Sequence, residues 1–330
     1  GYGWPKEFGG PGWNAVQKHL FEEECALAGA PRIVPFGPVM VAPVIMAFGS
    51  RAQQERFLPA FMEGGVRFSI SISEPSAGSD AANTRTRSEE TPEGWKITGQ
   101  KLWCSGAAAR NTVIAMLTRS DKAAAKHKGL TVLLVPNDTP GVDIRRLPTM
   151  ARRATGTTEI FADGAVVPAA NVLGQPGDGW KIITDHLELE RIAVSAAYVG
   201  NAQQAVTDAL KYAHERIQFD KPIYDFQVIR HMLADMQTAV DAARLMVYRA
   251  ADLASRGVPC TREVSMAKLI ASETLQTVTR NGMQIMGGYG YSKEFDMERH
   301  YRDARPSTIA AGTSQIQRNL IAGMMGHKVK

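Results

Sequence analysis

The feature that most restricts the fold is a change of periodicity along the chain, from helical to strand-like and back. From about residue 66 to residue 173, short β-rich runs alternate with Pro, Gly, Asn and Asp. No long helical pattern separates these runs, whereas a parallel α/β sheet needs helical connections. The stretch therefore predicts an antiparallel sheet or barrel, with strand candidates at 68–72, 95–98, 112–117, 130–135, 142–144 and 159–161.

Helical patterns lie on both sides of this stretch. Apolar faces recur over residues 14–63, and the apolar run at 38–48 predicts a buried helix. The sequence thus predicts an α+β multi-domain fold: an N-terminal helical domain (1–66), a central antiparallel β-domain (67–174) and a C-terminal four-helix bundle (175–330). The bundle candidates are the segments 180–215, 227–256, 261–286 and 314–325.

Composition excludes several classes of protein. The chain has 330 residues, which is longer than a single hydrophobic core usually supports, so two or three domains are expected. It has no apolar run long enough to span a bilayer. Its three cysteines, Cys25, Cys104 and Cys260, form no CxxC pair, and its seven histidines show no metal-ligand spacing. The net charge of +5 is spread along the chain. We therefore expect no metal, no membrane span and no nucleic-acid partner, and we see no secretory signal.

Four short motifs carry possible binding chemistry. Residues 73–80 form a small, hydroxyl-rich loop after a strand, and residues 98–107 place a tryptophan near a serine. Residues 215–223 offer an arginine for a diphosphate, and the paired glycines within 284–291 could bring backbone amides to a phosphate. Alone, each motif also fits a plain turn, a core tryptophan, a solvated helix end or a glycine C-cap.

Taken together and in this order, the motifs resemble the acyl-CoA dehydrogenase family. The segments 4–10, 302–305 and 312–317 also fit, so the resemblance covers essentially the whole chain. It implies three domains like those above, with FAD bound between the β-domain and the bundle and completed by a neighbouring subunit of a homotetramer or homodimer. Compared with that family, the first helical domain looks short, as if its first helices were missing.

The resemblance also implies roles for particular residues. A serine would bind near the reactive flavin nitrogen, a tryptophan would cover the flavin, and Asp220 replaces the glycine that most members have. The expected cofactor residues are Ile72, Ser73, Trp103, Ser105, Thr313 and Gln315. From the adjacent subunit, the diphosphate and adenosine of FAD would be held by Arg216, Phe219, Gln227, Gln284, Gly287 and Gly288. The expected substrate residues are Ser79, Arg191, Ala311 and Gly312.

The catalytic base is the unusual point of this sequence. Many members carry a glutamate immediately before the Gly-Thr pair, where this chain has Ala311, which cannot accept a proton. Glu190 directly precedes Arg191 and resembles the helix-borne base of a minority of the family, such as isovaleryl-CoA and long-chain dehydrogenases. We predict Glu190 as the base; the alternative is that it only pairs with a basic residue on the helix surface.

The resemblance therefore predicts a flavoprotein oxidoreductase of lipid metabolism. It would desaturate an acyl-CoA at the α,β bond, pass electrons to an electron-transferring flavoprotein, and reside in a bacterial-type cytoplasm or the mitochondrial matrix. A non-catalytic subunit that completes the FAD site of a mixed tetramer is the alternative. An engineered alanine at position 311 also remains open, and a DNA-binding relative is disfavoured because no Lys/Arg cluster is present.

Overall fold

The computed structural model describes residues 1–31, 33–185 and 187–326, and the chain divides into two compact units. The first unit comprises Gly1–Gly12 and Val34–Leu187, and the second comprises Trp13–Ile33 and Glu188–Lys330. The first contains the large sheet, and the second contains the long helices. The domain boundaries at residues 66 and 174 stay predictions.

The sheet of the first unit is mainly antiparallel, in the order β6-β7-β3-β2-β4-β5-β8. The sequence did not indicate two exceptions. Strand β1 runs parallel to β4, from Arg67 opposite Thr112 to Ser71 opposite Met116. Strand β2 also pairs with β4 in parallel, with Arg87 opposite Arg119. The intervening β2–β3 hairpin provides the long crossover that a parallel pair requires. The strands are β1 (Arg67–Ser71), β2 (Arg87–Thr91), β3 (Gly94–Lys101), β4 (Thr112–Arg119), β5 (Leu130–Pro136), β6 (Val142–Arg146), β7 (Thr158–Val167) and β8 (Val172–Leu173).

Strand β4 is buried on both faces, which explains its uninterrupted apolar sequence. Val113, Ala115 and Leu117 point into one hydrophobic cluster, whereas Ile114 and Met116 point into another. This alternation follows the two-residue repeat of a strand. The first cluster includes residues of the helices of this unit, and the second lies against β3 and β7.

Short helices cover the first cluster. A π-helical turn, Phe36–Val41, leads into α2 (Ala42–Phe48), in which Ile45 is fully buried, so the predicted buried helix over 38–48 is confirmed. Helix α3 (Arg51–Met62) is capped by Ser50, which forms a capping box with Gln53. Helix α4 (Gly179–Asp185) completes the helices of this unit within the described residues.

The second unit is a bundle of long helices. Its core is rich in alanine, including Ala202, Ala205 and Ala209 of α5, which allows close helix packing. The predicted segment 180–215 falls on two helices, α4 and α5, and residue 186 lies outside the described residues. The helices are α1 (Ala15–Leu27), α5 (Leu187–Glu215), α6 (Gln227–Ser255), α7 (Thr261–Met286), α8 (Gly288–Tyr291), α9 (Met297–Ala304) and α10 (Ser314–Met324). A two-stranded hairpin, β9 (Ile217–Gln218) and β10 (Lys221–Pro222), connects α5 to α6.

Helix α1 packs against the long helices rather than against its sequence neighbours. Arg244 Nε of α6 lies 2.7 Å from Glu23 Oε1 of α1, and the Glu23 side chain is buried. A Cβ at Gly200 of α5 would lie 2.6 Å from Ala26 Cβ, so only glycine permits this approach. In the described part of the chain, no helix has the length and apolar character to cross a membrane.

Candidate functional site

Two segments of the first unit bring four predicted cofactor residues together. The Leu102 N–H donates to the Ser73 carbonyl oxygen (2.9 Å), so the residues after β1 run beside the residues after β3. Trp103 has a left-handed backbone (φ 64°), and 60 % of its surface is exposed. Ser105 accepts from Ser69 Oγ at its carbonyl oxygen (2.9 Å). The structure therefore places Ile72, Ser73, Trp103 and Ser105 on adjacent segments with an exposed indole.

A buried ion pair lies directly beneath these segments. Lys101 is 1 % exposed, and its Nζ donates to Glu74 Oε1 and to the Ile72 carbonyl oxygen, both at 3.0 Å. Glu74 also accepts from the backbone N–H groups of Arg85 (2.8 Å) and Thr86 (2.9 Å). Burial lowers the pKa of Lys101, and the nearby Glu74 carboxylate opposes that effect. Burial alone would raise the pKa of Glu74, but Lys101 and the hydrogen bonds outweigh it and lower the pKa.

Ser79, predicted to meet the substrate, lies in the exposed loop that follows this ion pair. The loop begins with a bridge between Glu74 and Ala77, whose backbone groups exchange two hydrogen bonds of 3.0 and 3.1 Å. Its far end is tied by an ion pair between Lys126 Nζ and Asp80 Oδ1 (2.6 Å). Ser79 is thus exposed on a loop whose two ends are both anchored.

The second unit contains a cavity of about 550 Å³, and three predicted cofactor residues line it. Arg216, Gly287 and Gly288 line it, and the Arg216 guanidinium lies 5.5 Å from the centre of the Tyr289 ring. A Cβ at either glycine would meet no atom within 4 Å, so the backbone there faces open space. A guanidinium beside open glycine backbone is a suitable arrangement for a phosphate group.

Three other predicted cofactor residues lie outside the lining of this cavity. Phe219 is 86 % exposed at the tip of the β9–β10 hairpin, where its φ is 51°. Gln227 is the exposed first residue of α6, and Gln284 is exposed near the end of α7. The roles of these three residues stay predictions.

The loop between α9 and α10 carries the residues predicted near the substrate thioester. Ala311 and the following Gly312 both have left-handed backbones, with φ of 56° and 83°. Thr313 caps α10 by accepting from the Ile316 N–H (3.1 Å), whereas Gln315 is exposed. Buried Gln317 donates from Nε2 to the carbonyl oxygens of Ala311 and Gly312, both at 3.2 Å.

Two cations of α5 and α7 lie at this loop, and a glutamate of α5 interacts with both of them. Lys268 is fully buried, and its Nζ donates to the carbonyl oxygens of Ser307 (2.9 Å) and Gly312 (2.8 Å). Arg191 is 8 % exposed, and its Nη2 lies 3.8 Å from the position of a Cβ built on Gly312. Half-buried Glu190 interacts electrostatically with both cations. Glu190, Arg191 and the Ala311–Gly312 turn therefore share one charged neighbourhood.

Burial has the largest effect on the pKa of each of the two cations. It lowers the pKa of Arg191, and the carboxylates of Glu190 and Glu188 oppose this effect. Burial and the Arg191 charge lower the pKa of Lys268 to about 8, while Glu190 and Glu273 act in the opposite direction. Glu188 accepts a hydrogen bond from Thr261 Oγ1, so it has a partner distinct from the Ala311–Gly312 turn.

Sequence reasoning missed Lys268 and gave Lys101 no role. A signal existed for Lys268: Val264, Ala271 and Leu275 share its helical face, and all three are buried. A lysine within an apolar stripe indicates either a snorkelling side chain or a buried ammonium with carbonyl partners. Among the described residues, no group of three or more His, Cys, Asp or Glu side chains is arranged to hold a metal ion.

Comparison with known domains settles the family. The N-terminal, middle and C-terminal domain models of acyl-CoA dehydrogenases match residues 1–65, 69–165 and 177–326. The chain belongs to the acyl-CoA dehydrogenase family. This result confirms the predicted family and the class of enzyme, an oxidoreductase acting on the CH–CH bond of acyl-CoA. Which residue is the catalytic base stays a prediction.

Two named relatives illustrate the range of this acyl-CoA dehydrogenase family. The chain is 38% identical over 332 residues to acryloyl-CoA reductase (NADH) of Anaerotignum propionicum, covering 98% of this chain and 82% of that protein. It is 35% identical over 324 residues to the mitochondrial short-chain specific acyl-CoA dehydrogenase of Homo sapiens, covering 97% of this chain and 78% of that protein.

Solved structures confirm the fold class. Butyryl-CoA dehydrogenase from Megasphaera elsdenii superposes with a TM-score of 0.91 at 33% identity, covering 99% of this chain and 87% of that one. The FAD complex of PigA superposes with a TM-score of 0.90 at 26% identity, covering 97% of this chain and 85% of that one. The order of N-terminal helices, central sheet and C-terminal helices is therefore that of known members.

Proposed function

We propose that this acyl-CoA dehydrogenase desaturates an acyl-CoA thioester at the α,β bond, with Glu190 as the base that removes the α-proton. The electron pair of the α C–H bond would form the new C=C bond when Glu190 takes the proton. The electron pair of the β C–H bond would leave with the hydride and reduce the flavin. The observation that carries this proposal is the shared neighbourhood of Glu190, Lys268 and the turn at Ala311. The turn lacks an acid of its own, and Glu190 is an acidic side chain in that neighbourhood.

The residues present fit FAD, which is the bound cofactor in the related PigA complex. Arg216 and the open backbone of Gly287 and Gly288 can bind the diphosphate of the FAD that an adjacent subunit carries. The exposed Trp103 indole can cover the flavin ring, and Ser105 can donate to it from Oγ. FAD, when bound, supplies the hydride acceptor that the reaction requires.

The chain itself would supply three further contributions. The Ala311 N–H can donate to the thioester carbonyl and stabilise the negative charge that develops when the α-proton leaves. Ser79 can contact the pantetheine arm from its anchored loop. Arg191 is buried next to Glu190 in sequence and attracts its carboxylate electrostatically, which limits the directions that carboxylate can take.

Anaerobic bleaching of the flavin by a panel of acyl-CoAs tests the proposal. We expect wild-type protein to bleach and Glu190→Gln to bleach about 10²–10⁴-fold more slowly, the range lost with a general base. Glu188→Gln is the matched control, because Glu188 lies two residues away and bonds Thr261 instead. If Glu190→Gln bleaches as fast as wild type, Glu190 is not the base.

Ala311 specifically favours a second candidate, a non-catalytic subunit that completes the FAD site of a partner chain. The chain expressed alone would then bind FAD but bleach with no acyl-CoA. We further propose an electron-transferring flavoprotein as oxidant, a homotetramer or homodimer as assembly, and bulky or branched acyl groups as substrates. Size-exclusion chromatography with light scattering measures the assembly. The compartment, bacterial-type cytoplasm or mitochondrial matrix, likewise remains a proposal.

A further inference from the structure

We propose that Lys268 is a positioning residue of the reaction, because its ammonium fixes the turn at Ala311 and Gly312 that presents the Ala311 amide to the thioester. This inference rests on the proposed function, in which that amide stabilises the developing negative charge. Nothing in the sequence motifs assigns a role to Lys268. Its action is indirect, through the backbone of the loop between α9 and α10.

Lys268 links two parts of this loop through hydrogen bonds on its buried side. Its Nζ donates to Ser307 O and to Gly312 O, which are the start of the loop and the turn itself. Gln317 adds donors to the carbonyl oxygens of Ala311 and Gly312, and Gln276 donates to Ser307 Oγ (3.2 Å). The carbonyl oxygens of both turn residues are therefore occupied by buried side chains.

The turn needs this support because of its backbone conformation. Alanine is unfavourable in the left-handed region that Ala311 adopts, so the conformation persists only where neighbouring contacts impose it. Within the described part of the chain, the Ala311 N–H donates to no acceptor, which leaves it available to a ligand. Lys268 contributes the charged donor to the turn, and hydrogen bonds from a charged donor are the stronger kind.

The charge on Lys268 gives the role a distinctive pH dependence. The groups that act on it are Arg191 and Glu190 from α5 and Glu273 from its own helix, and Glu273 lies 3.8 Å from Arg318 of α10. With a pKa of about 8, Lys268 loses its proton as the pH rises above 8. The turn then loses its charged donor, and polarisation of the thioester should weaken.

Stability should respond in the opposite direction. The pKa of Lys268 is lowered in the folded protein, so between about 8 and its ordinary value of 10.5 the unfolded chain binds more protons. The contribution of this group to folding stability therefore increases as the pH rises through that window. If Lys268 positions the turn, polarisation of the thioester carbonyl weakens above pH 8 while the contribution of Lys268 to folding stability does not fall. A purely structural role would not change the polarisation in this way.

Isotope-edited infrared spectroscopy measures the polarisation directly. The probe is the 2-enoyl-CoA, labelled with ¹³C at the carbonyl, that corresponds to the fastest-bleaching acyl-CoA, bound to FAD-loaded protein. We expect the carbonyl stretch of the bound probe to move to lower wavenumber below pH 8 and to return towards its free value above pH 8. Urea unfolding over the same pH range measures stability.

Variants separate the possible explanations. Lys268→Met should lose most of the carbonyl shift at every pH. It should also lower kcat about tenfold or more, with KM little changed. This loss is smaller than the 10²–10³-fold loss expected when a direct oxyanion donor is deleted. Gln317→Met should reduce the shift but keep its dependence on pH. Exposed Lys211→Met is the matched control and should behave as wild type.

Three outcomes overturn the inference. A Lys268→Met protein with the full shift excludes a positioning role for Lys268 while the proposed reaction stands. A wild-type shift that is equal at pH 6.5 and 9.5 excludes that the charge of the Lys268 ammonium fixes the turn, and the proposed reaction again stands. If wild type binds FAD and the probe but shifts the carbonyl at no pH, the proposed function fails as well. If Lys268→Met does not fold, the wild-type pH series and Gln317→Met still decide the question.

Discussion

Replacing Lys101 by methionine should destabilise the first unit by about 3–5 kcal/mol, the usual loss when one partner of a buried ion pair is removed. The two side chains are 1% and 4% exposed, and Nζ lies 3.0 Å from Glu74 Oε1. Methionine is close to lysine in volume but leaves the Glu74 carboxylate without the ammonium that pairs with it. The Ile72 carbonyl oxygen also loses its Lys101 donor.

Tryptophan fluorescence during urea unfolding is a suitable assay. Four of the five tryptophans, all except Trp13, belong to the first unit, so the signal reports mainly on that unit. The unfolding of two units need not be two-state, so the midpoint of the fluorescence transition at saturating FAD is the quantity to compare. Glu74→Gln and the double variant complete a double-mutant cycle.

The double-mutant cycle measures the coupling between Lys101 and Glu74. The double variant contains no unpaired charge, so it should be less destabilised than the sum of the single variants by about 2–3 kcal/mol, at the upper end of such couplings. A cost below about 1 kcal/mol for Lys101→Met would match an exposed pair and would refute the assignment of a buried one. Additive single variants would show that Lys101 and Glu74 do not interact.

Three further predictions concern the site and the helices. Ala311→Glu in the Glu190→Gln background should restore flavin bleaching at least tenfold, because an acid at the usual family position can replace the base; no recovery would show that position 311 does not face the thioester. Arg216→Ala should raise the Kd for FAD about 10–150-fold in equilibrium dialysis, the equivalent of about 1.5–3 kcal/mol for charged hydrogen bonds; an unchanged Kd contradicts diphosphate binding. Gly200→Ala should cost about 1–3 kcal/mol by overpacking against α1, whereas Gly323→Ala, with open space at its Cβ position, should stabilise α10 by about 0.5–1 kcal/mol; thermal unfolding compares the two.

The long helices were predictable because their ends carry local signals. Helix α7 spans the predicted residues Thr261–Met286, since Pro259 precedes it and Gly287, with φ of 58°, ends it. Strand β2 was missed because its sequence, Arg-Ser-Glu-Glu-Thr, contains no apolar residue, and its one buried residue is Ser88. Pairing with β3 across the hairpin, rather than intrinsic preference, makes it a strand.

The site residues identified from the sequence lie in motifs, whereas the apolar face around Lys268 indicated its burial but not its partners. Arg216 and Gly287 were identified from their motifs and do line one cavity. Lys268 was not, because lysine is almost always exposed and its partners are carbonyl oxygens 39 and 44 positions away. Backbone acceptors have no sequence signature, so only the folded chain shows that a buried ammonium is satisfied there.

The association of α1 with the second unit has a consequence for synthesis of the protein. Glu23 pairs with Arg244, which lies 221 positions later in the chain. At about 5–20 residues per second, the ribosome needs on the order of ten seconds or more to produce that partner after α1 emerges. During this interval α1 lacks the α6 part of its docking surface, so an expression fragment that stops before α6 would leave the buried Glu23 carboxylate without its guanidinium partner.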